Sequence, residues 1–179
     1  MNVEAAERVP LQHVIVVGGT VAEWAALSDE QWSSRLAELG KVTDHVGASW
    51  LTLRPLRSDD TARALVPERT ATVGGCVVAC HPEPDGRDRL TTAVAALQAA
   101  GLPITEASIS AALNMPAEAD PDLVVVVGAK HLMPPSLVWE LAYSELVYVD
   151  TSWQHFAPGH LDEAIGSYAR RNRRFGGID

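Results

Sequence analysis

"DLVVVVG", residues 122–128, sets the frame for reading this chain. Four consecutive valines between a leucine and a glycine leave no alternate polar position, so the run reads as a strand buried on both faces. Residues 13–19, "HVIVVGG", read the same way and stop at two glycines. Outward from these two, Leu51–Leu56, Val73–Cys80 and Leu146–Val149 are the further strand candidates. Helices are expected between them. Ser28 stands three residues before Gln31, acids follow it and Gly40 stops the run, which predicts a helix over Ser28–Gly40. Gly86–Ala100 places Leu90, Val94 and Leu97 on one helical face. Thr105 caps a helix reaching Leu113, and Ser136–Ser144 and Gly159–Arg173 read as two more. The polar, proline-punctuated Arg57–Thr70 reads as a loop with one turn of helix. Strands alternating with helices, built from continuous apolar runs, predict an α/β layered fold with a mainly parallel central sheet flanked by helices.

The 179 residues, 47% of them hydrophobic, suffice for one substantial core, so residues 1–179 are read as a single domain. A formal net charge of −9 argues against a nucleic-acid surface, which needs clustered cations; the one basic run is Arg170, Arg171, Arg173 and Arg174. No run of about 18 apolar residues is present and Met1–Pro10 is acidic, so neither a transmembrane segment nor a signal peptide is expected and a cytoplasmic location is. Cys76 and Cys80, four residues apart on one strand, would lie about 13 Å apart and remain buried thiols.

Several stretches carry groups with chemical potential. "VVGGT" after the first strand would let backbone N–H groups approach a phosphate, although it matches neither the dinucleotide nor the P-loop pattern. "HPEPDGRD" puts His81, Glu83, Asp85 and Arg87 in a loop after a strand. Cys76, Cys80 and His81 match no common zinc spacing, and His131, His155 and His160 are scattered singly. Trp139, Tyr143, Tyr148, Trp153 and Phe156 concentrate aromatic area near one end, suited to a core or to a partner interface.

Residues 122–177, "DLVVVVGAKHLMPPSLVWELAYSELVYVDTSWQHFAPGHLDEAIGSYARRNRRFGG", resemble the C-terminal part of the cis-prenyltransferase family, the undecaprenyl diphosphate synthase-like enzymes. The matching positions include Asp122, Leu123, Gly128, Leu137, Trp139, Leu141, Ala142, Tyr143, Glu145, Leu146, Tyr148, Asp150, Trp153, Phe156 and Arg173 to Gly177. A weaker match pairs His13, Val14, Trp24 and Ala25 with the family's first strand and turn. The resemblance implies a shortened cis-prenyltransferase-like fold and a dimer interface carrying Trp139, Tyr143, Glu145, Tyr148, Trp153 and Phe156. It also implies departures. The family's magnesium-positioning Asp falls at Gly19 or Gly18, its diphosphate-binding arginines at Val126 and Leu132, and the adjoining Ser at Pro134. Glu145 occupies the second magnesium-linked carboxylate position without its companion, and the Trp24–Thr52 span is shorter than the family's.

What the resemblance then implies is a degenerate subunit, similar to the Nogo-B receptor type without a membrane anchor. It would pair with a catalytic cis-prenyltransferase subunit in a heterodimer or heterotetramer that condenses isopentenyl diphosphate with an allylic diphosphate. The terminal Arg174, Phe175, Gly176 and Gly177 would enter the partner's active site, with Arg174 and Gly176 as the donated catalytic elements. No metal or cofactor would bind this chain alone, and Mg²⁺ would sit in the partner's site. The complex would be cytoplasmic or peripheral to a membrane. The alternative expectation is a small regulatory protein that holds a diphosphate or nucleotide at "VVGGT".

Overall fold

The computed structural model describes residues 11–57, 66–130, 133–142 and 144–175. Six strands form one sheet in the order β3-β4-β2-β1-β5-β6. They are β1 His13–Val17, β2 Trp50–Arg54, β3 Arg69–Val73, β4 Cys76–Cys80, β5 Leu123–Val127 and β6 Glu145–Val149. All neighbours pair in parallel except β3, which runs antiparallel to β4. The helices are α1 Val21–Ala25, α2 Asp29–His45, α3 Gly86–Ala99, α4 Glu106–Asn114 and α5 Pro158–Phe175. This is the α/β layered fold with a mainly parallel sheet that the apolar runs predict.

The two valine-rich runs are the two strands at the centre of the sheet, and every residue of β1 and β5 is buried. On one face Val14, Val16, Leu51, Leu53, Val125 and Val127 meet α2, α5 and the rings of Trp24, Trp32, Trp153 and Phe156 in the main core. The opposite face is more polar. It carries a small apolar cluster of Ile15, Val17, Val124, Val126 and Leu137, beside buried His13, Thr52 and Arg54. Cys76 and Cys80 are free, buried thiols.

Three elements differ from expectation. Val73–Cys80 is a hairpin, not one strand: Gly74, at φ +59°, and Gly75 turn the chain, and Asp44 Oδ1 accepts the Gly75 N–H at 2.7 Å. The expected loop over Arg57–Thr70 therefore ends earlier, because Arg69 and Thr70 already belong to β3. Helix α2 runs through Gly40 to His45. At Gly40 a Cβ would stand 2.7 Å from Val73 Cγ2, so this glycine serves close packing on the hairpin, and Gly47, at φ +82°, follows the true helix end.

The third difference is Ser136–Ser144, expected as a helix and found as two 3₁₀ turns, Pro135–Leu137 and Glu140–Ala142. The Arg89 guanidinium donates to the Ser136 carbonyl, the group an α-helix would have paired with the Glu140 N–H, and Ser144 Oγ donates to the Glu140 carbonyl at 2.8 Å. Side chains, Arg89 from α3 and Ser144 from the segment's own end, have taken these helical acceptors.

Candidate functional site at the strand carboxyl ends

In an open parallel sheet, ligands gather beyond the carboxyl ends of the strands. Here that edge is formed by Gly18–Thr20 after β1, Pro55–Arg57 after β2, His81 after β4 and Gly128 after β5. The glycine turn does not form a phosphate cradle. Gly18 N–H donates to the Arg54 carbonyl at 3.0 Å and Val21 N–H to the Arg57 carbonyl at 3.2 Å. Thr20 N–H donates to Glu23 Oε2 at 2.8 Å, half of a capping box closed by Glu23 N–H on Thr20 Oγ1.

The space above the turn is also filled. A Cβ on Gly18 would lie 2.8 Å from Trp153 Cε3, and one on Gly19 would lie 2.6 Å from Trp153 Cγ. Trp153 stacks on Trp24 at 5.6 Å and on Phe156 at 6.2 Å, and Trp24 Nε1 donates to the Gly18 carbonyl at 2.9 Å. Arg35 adds to the stack, with its guanidinium over the Trp153 ring, 4.4 Å from its centre, and Nη1 donating to the Trp153 carbonyl. The two glycines thus allow an indole to lie on the backbone.

Gly18 and Gly19 follow β1, and Val126 is fully buried between β1 and β6. Among the described residues no group of three or more His, Cys, Asp or Glu is arranged to hold a metal ion. Glu145 pairs with Leu123 at the start of β6, at the opposite end of the sheet from the glycine turn.

The residues of "HPEPDGRD" do not converge on one site. Glu83 Oε1 accepts the Asp85 N–H, and Asp85 caps α3 by accepting from Arg87 N–H at 2.8 Å and Asp88 N–H at 3.3 Å. Arg87 is exposed, and only His81 turns inward. It lies beside Arg54, the next residues on paired strands, and Nδ1 meets Glu68 Oε1 at 3.1 Å. Burial and then the Arg54 charge hold the His81 pKa below its ordinary value, against the pull of Glu68.

Behind His81 lies a buried ionic layer with no counterpart in the sequence reading. Arg54 and Arg89 both donate to the Leu113 carbonyl at the end of α4, at 3.2 and 3.1 Å. Arg89 also pairs with Glu140 at 2.5 Å, both side chains almost wholly out of water. Burial, then the neighbouring Arg89, lowers the Arg54 pKa to about 9. These residues clamp α3, α4 and the 3₁₀ turns onto the sheet. Singly placed arginines in amphipathic segments give little warning of such pairing, and the one available sign is that Arg54 ends a largely apolar strand.

The expected interface residues divide. Trp153 and Phe156, 3% and 4% exposed, belong to this chain's own core, so their rings are unavailable to a partner. Trp139 is half-buried and its Nε1 donates to Ser110 Oγ at 2.8 Å. Glu145 and Tyr148 are half-buried on β6, the strand at the sheet's edge. Met133 and Val138, 60% and 52% exposed, lie near them in sequence. Tyr143, Gly176 and Gly177 lie outside the described residues; Arg174 and Phe175 are described as backbone at the end of α5.

Comparison with known proteins places these features. Residues 56–176 match the prenyltransferase family model described as "Putative undecaprenyl diphosphate synthase". An isoprenyl transferase of Chromobacterium violaceum is 38% identical over 109 residues, 60% of this chain and 43% of that protein. One from Geobacillus kaustophilus is 43% identical over 75 residues, 42% of this chain and 29% of that protein. The matched stretch thus spans less than half the length of either relative.

In fold, the chain is similar to a Campylobacter jejuni protein described as "a probable undecaprenyl diphosphate synthase", with a TM-score of 0.58 at 16% identity, covering 90% of this chain and 96% of that one. It is also similar to lavandulyl diphosphate synthase from Lavandula x intermedia in complex with dimethylallyl diphosphate, with a TM-score of 0.61 at 16% identity, covering 91% and 97%. The protein belongs to this cis-prenyltransferase family, undecaprenyl diphosphate synthase-like in fold.

Proposed function

We propose that this chain is a non-catalytic, partner-activating subunit of a heteromeric cis-prenyltransferase. Its terminal Arg174 and Gly176 would serve in the active site of a catalytic subunit that condenses isopentenyl diphosphate with an allylic diphosphate. The observation that carries the proposal is the filled strand edge: Trp153 lies on Gly18 and Gly19, and Val126 is packed among apolar neighbours. Two diphosphates bring several negative charges together, and the condensation needs cations to offset them and to stabilise departing pyrophosphate. In this proposal Mg²⁺ belongs to the partner's site.

The course of α5 supports donation to a neighbour. Strand β6 ends at Val149, and α5 turns back, so that Arg171 near its end meets the Leu146 carbonyl at the start of β6. From there the strand carboxyl ends lie about 10 Å back along the sheet, and Arg174 is about 4.5 Å further in the opposite direction. The helix delivers its end away from this chain's own glycine turn. Tyr148, Glu145 and Trp139 would contribute to the contact with the partner, and Phe175 and Gly177 to the diphosphate contact.

The test is co-expression with a catalytic isoprenyl transferase of the same organism, followed by incorporation of labelled isopentenyl diphosphate into polyprenyl product. Turnover is expected from the mixture and to fall at least tenfold with Arg174→Ala. A mixture that works equally well without the tail contradicts the proposal. Titration of the isolated chain with isoprenyl diphosphates or nucleotides addresses the regulatory alternative, which requires tight binding there.

A further inference from the structure

The apolar stripe by which α5 lies on the sheet runs Leu161, Ala164, Ile165, Tyr168, all buried. The next position at helical spacing is Arg171, which is exposed. Its long side chain continues the stripe's direction past the rim of the sheet, and its Nη1 donates to the Leu146 carbonyl at 3.1 Å. That carbonyl is a particular one. Glu145 N–H donates to the Asp122 carbonyl and Gly128 N–H to the Val149 carbonyl, so residues 145 and 149 turn their backbone groups toward β5. In a parallel ladder the intervening residues alternate, which turns Leu146 and Tyr148 outward to the free edge. Arg171 therefore ties the last turns of α5 to the open edge of the outermost strand, across 25 residues of sequence.

We infer that Arg171 is a positioning residue, fixing the direction in which the end of α5 leaves the sheet and so where Arg174 is presented. This rests on the reading above, that Arg174 acts in a neighbouring subunit. The physical basis is leverage. Arg174 follows Arg171 by three residues on the same helix, so it inherits the helix's bearing there, and small misplacements of a catalytic group have large effects on rate. Helix ends otherwise fray. A charged donor held on an outward carbonyl restrains the last turn at the point where the apolar stripe runs out. Its neighbour Arg170 is exposed on the adjoining helical position.

The experiment compares wild type, Arg171→Ala, Arg171→Lys and Arg174→Ala in the mixed assembly, each saturated with this chain. Arg171→Ala is expected to lower kcat by roughly five- to twentyfold, with the affinity between subunits within twofold of wild type. Arg171→Lys, whose ammonium can reach the same carbonyl, recovers part of the rate. In the isolated chain, amide hydrogen exchange over residues 169–175 should speed up in Arg171→Ala alone. Should Arg171→Ala keep kcat within twofold while Arg174→Ala does not, the positioning role is wrong and the donated tail stands. Should its deficit vanish at higher chain concentration, Arg171 is a contact residue and the inference is likewise overturned. If Arg174→Ala is silent as well, the reading of the tail fails and this inference with it.

Discussion

Arg89 and Glu140 are both removed from water, and their 2.5 Å pairing offsets a desolvation cost that neither could bear alone. Arg89→Met leaves the carboxylate buried and unpaired, and a loss of about 3–5 kcal/mol in urea unfolding is expected. The double variant Arg89→Met/Glu140→Leu should regain most of it, because an apolar pair needs no counterion. His13 offers a second test at this scale. The Ala119 carbonyl can only accept, so His13 Nδ1 carries the proton and Nε2 accepts from the Thr52 hydroxyl, at 2.9 Å each. Burial, the largest cause, lowers its pKa to about 4. The unfolded state therefore binds a proton more readily, and the stability this residue protects is complete above pH 6.5 and lost as pH falls toward 4. The shift corresponds to roughly 3 kcal/mol. Urea midpoints at pH 7 and pH 4.5 should differ less in His13→Asn than in wild type; equal differences would reject the assignment.

At the scale of elements, glycines and aromatic rings decide what packs against what. Gly40 lets α2 lie on the β3–β4 hairpin with Val73 and Val78 methyls inside 3 Å of an added Cβ. Gly40→Ala, which would help an isolated helix, is expected to destabilise by about 1–3 kcal/mol through overpacking, read as a lowered Tm. The chain's punctuation was legible where a residue acts locally: Ser28 with Gln31 and Thr105 both form the expected caps. It misled where a residue answers to a distant neighbour. Gly40 looks like a stop and is a contact surface, and Ser136–Ser144 has helical spacing that Arg89 overrides from another element. The aromatic end shows the same limit: composition cannot distinguish a ring in the core from a ring at an interface, and Trp153 and Phe156 are in the core.

For the whole molecule, two valine runs and the alternation of strands with helices were enough for a parallel α/β sheet, since burial on both faces leaves few other architectures. The family was legible from Asp122 to Gly177, where matching residues fall at regular positions. The state of the strand edge was only half legible: the glycines after β1 can be read from the letters, but the closing of their turn by Trp153 requires a residue more than a hundred positions away. No described helix is long and apolar enough to cross a membrane. The central claim is that a strand edge whose glycine turn is covered by Trp153 and whose Val126 is packed among apolar neighbours leaves this chain dependent on a catalytic partner. Its most direct test is the incorporation of labelled isopentenyl diphosphate by the purified chain, by the catalytic homologue and by the two together. The account predicts no product from the chain alone and stimulation of the homologue that Arg174→Ala removes; sustained elongation by the chain alone would contradict it.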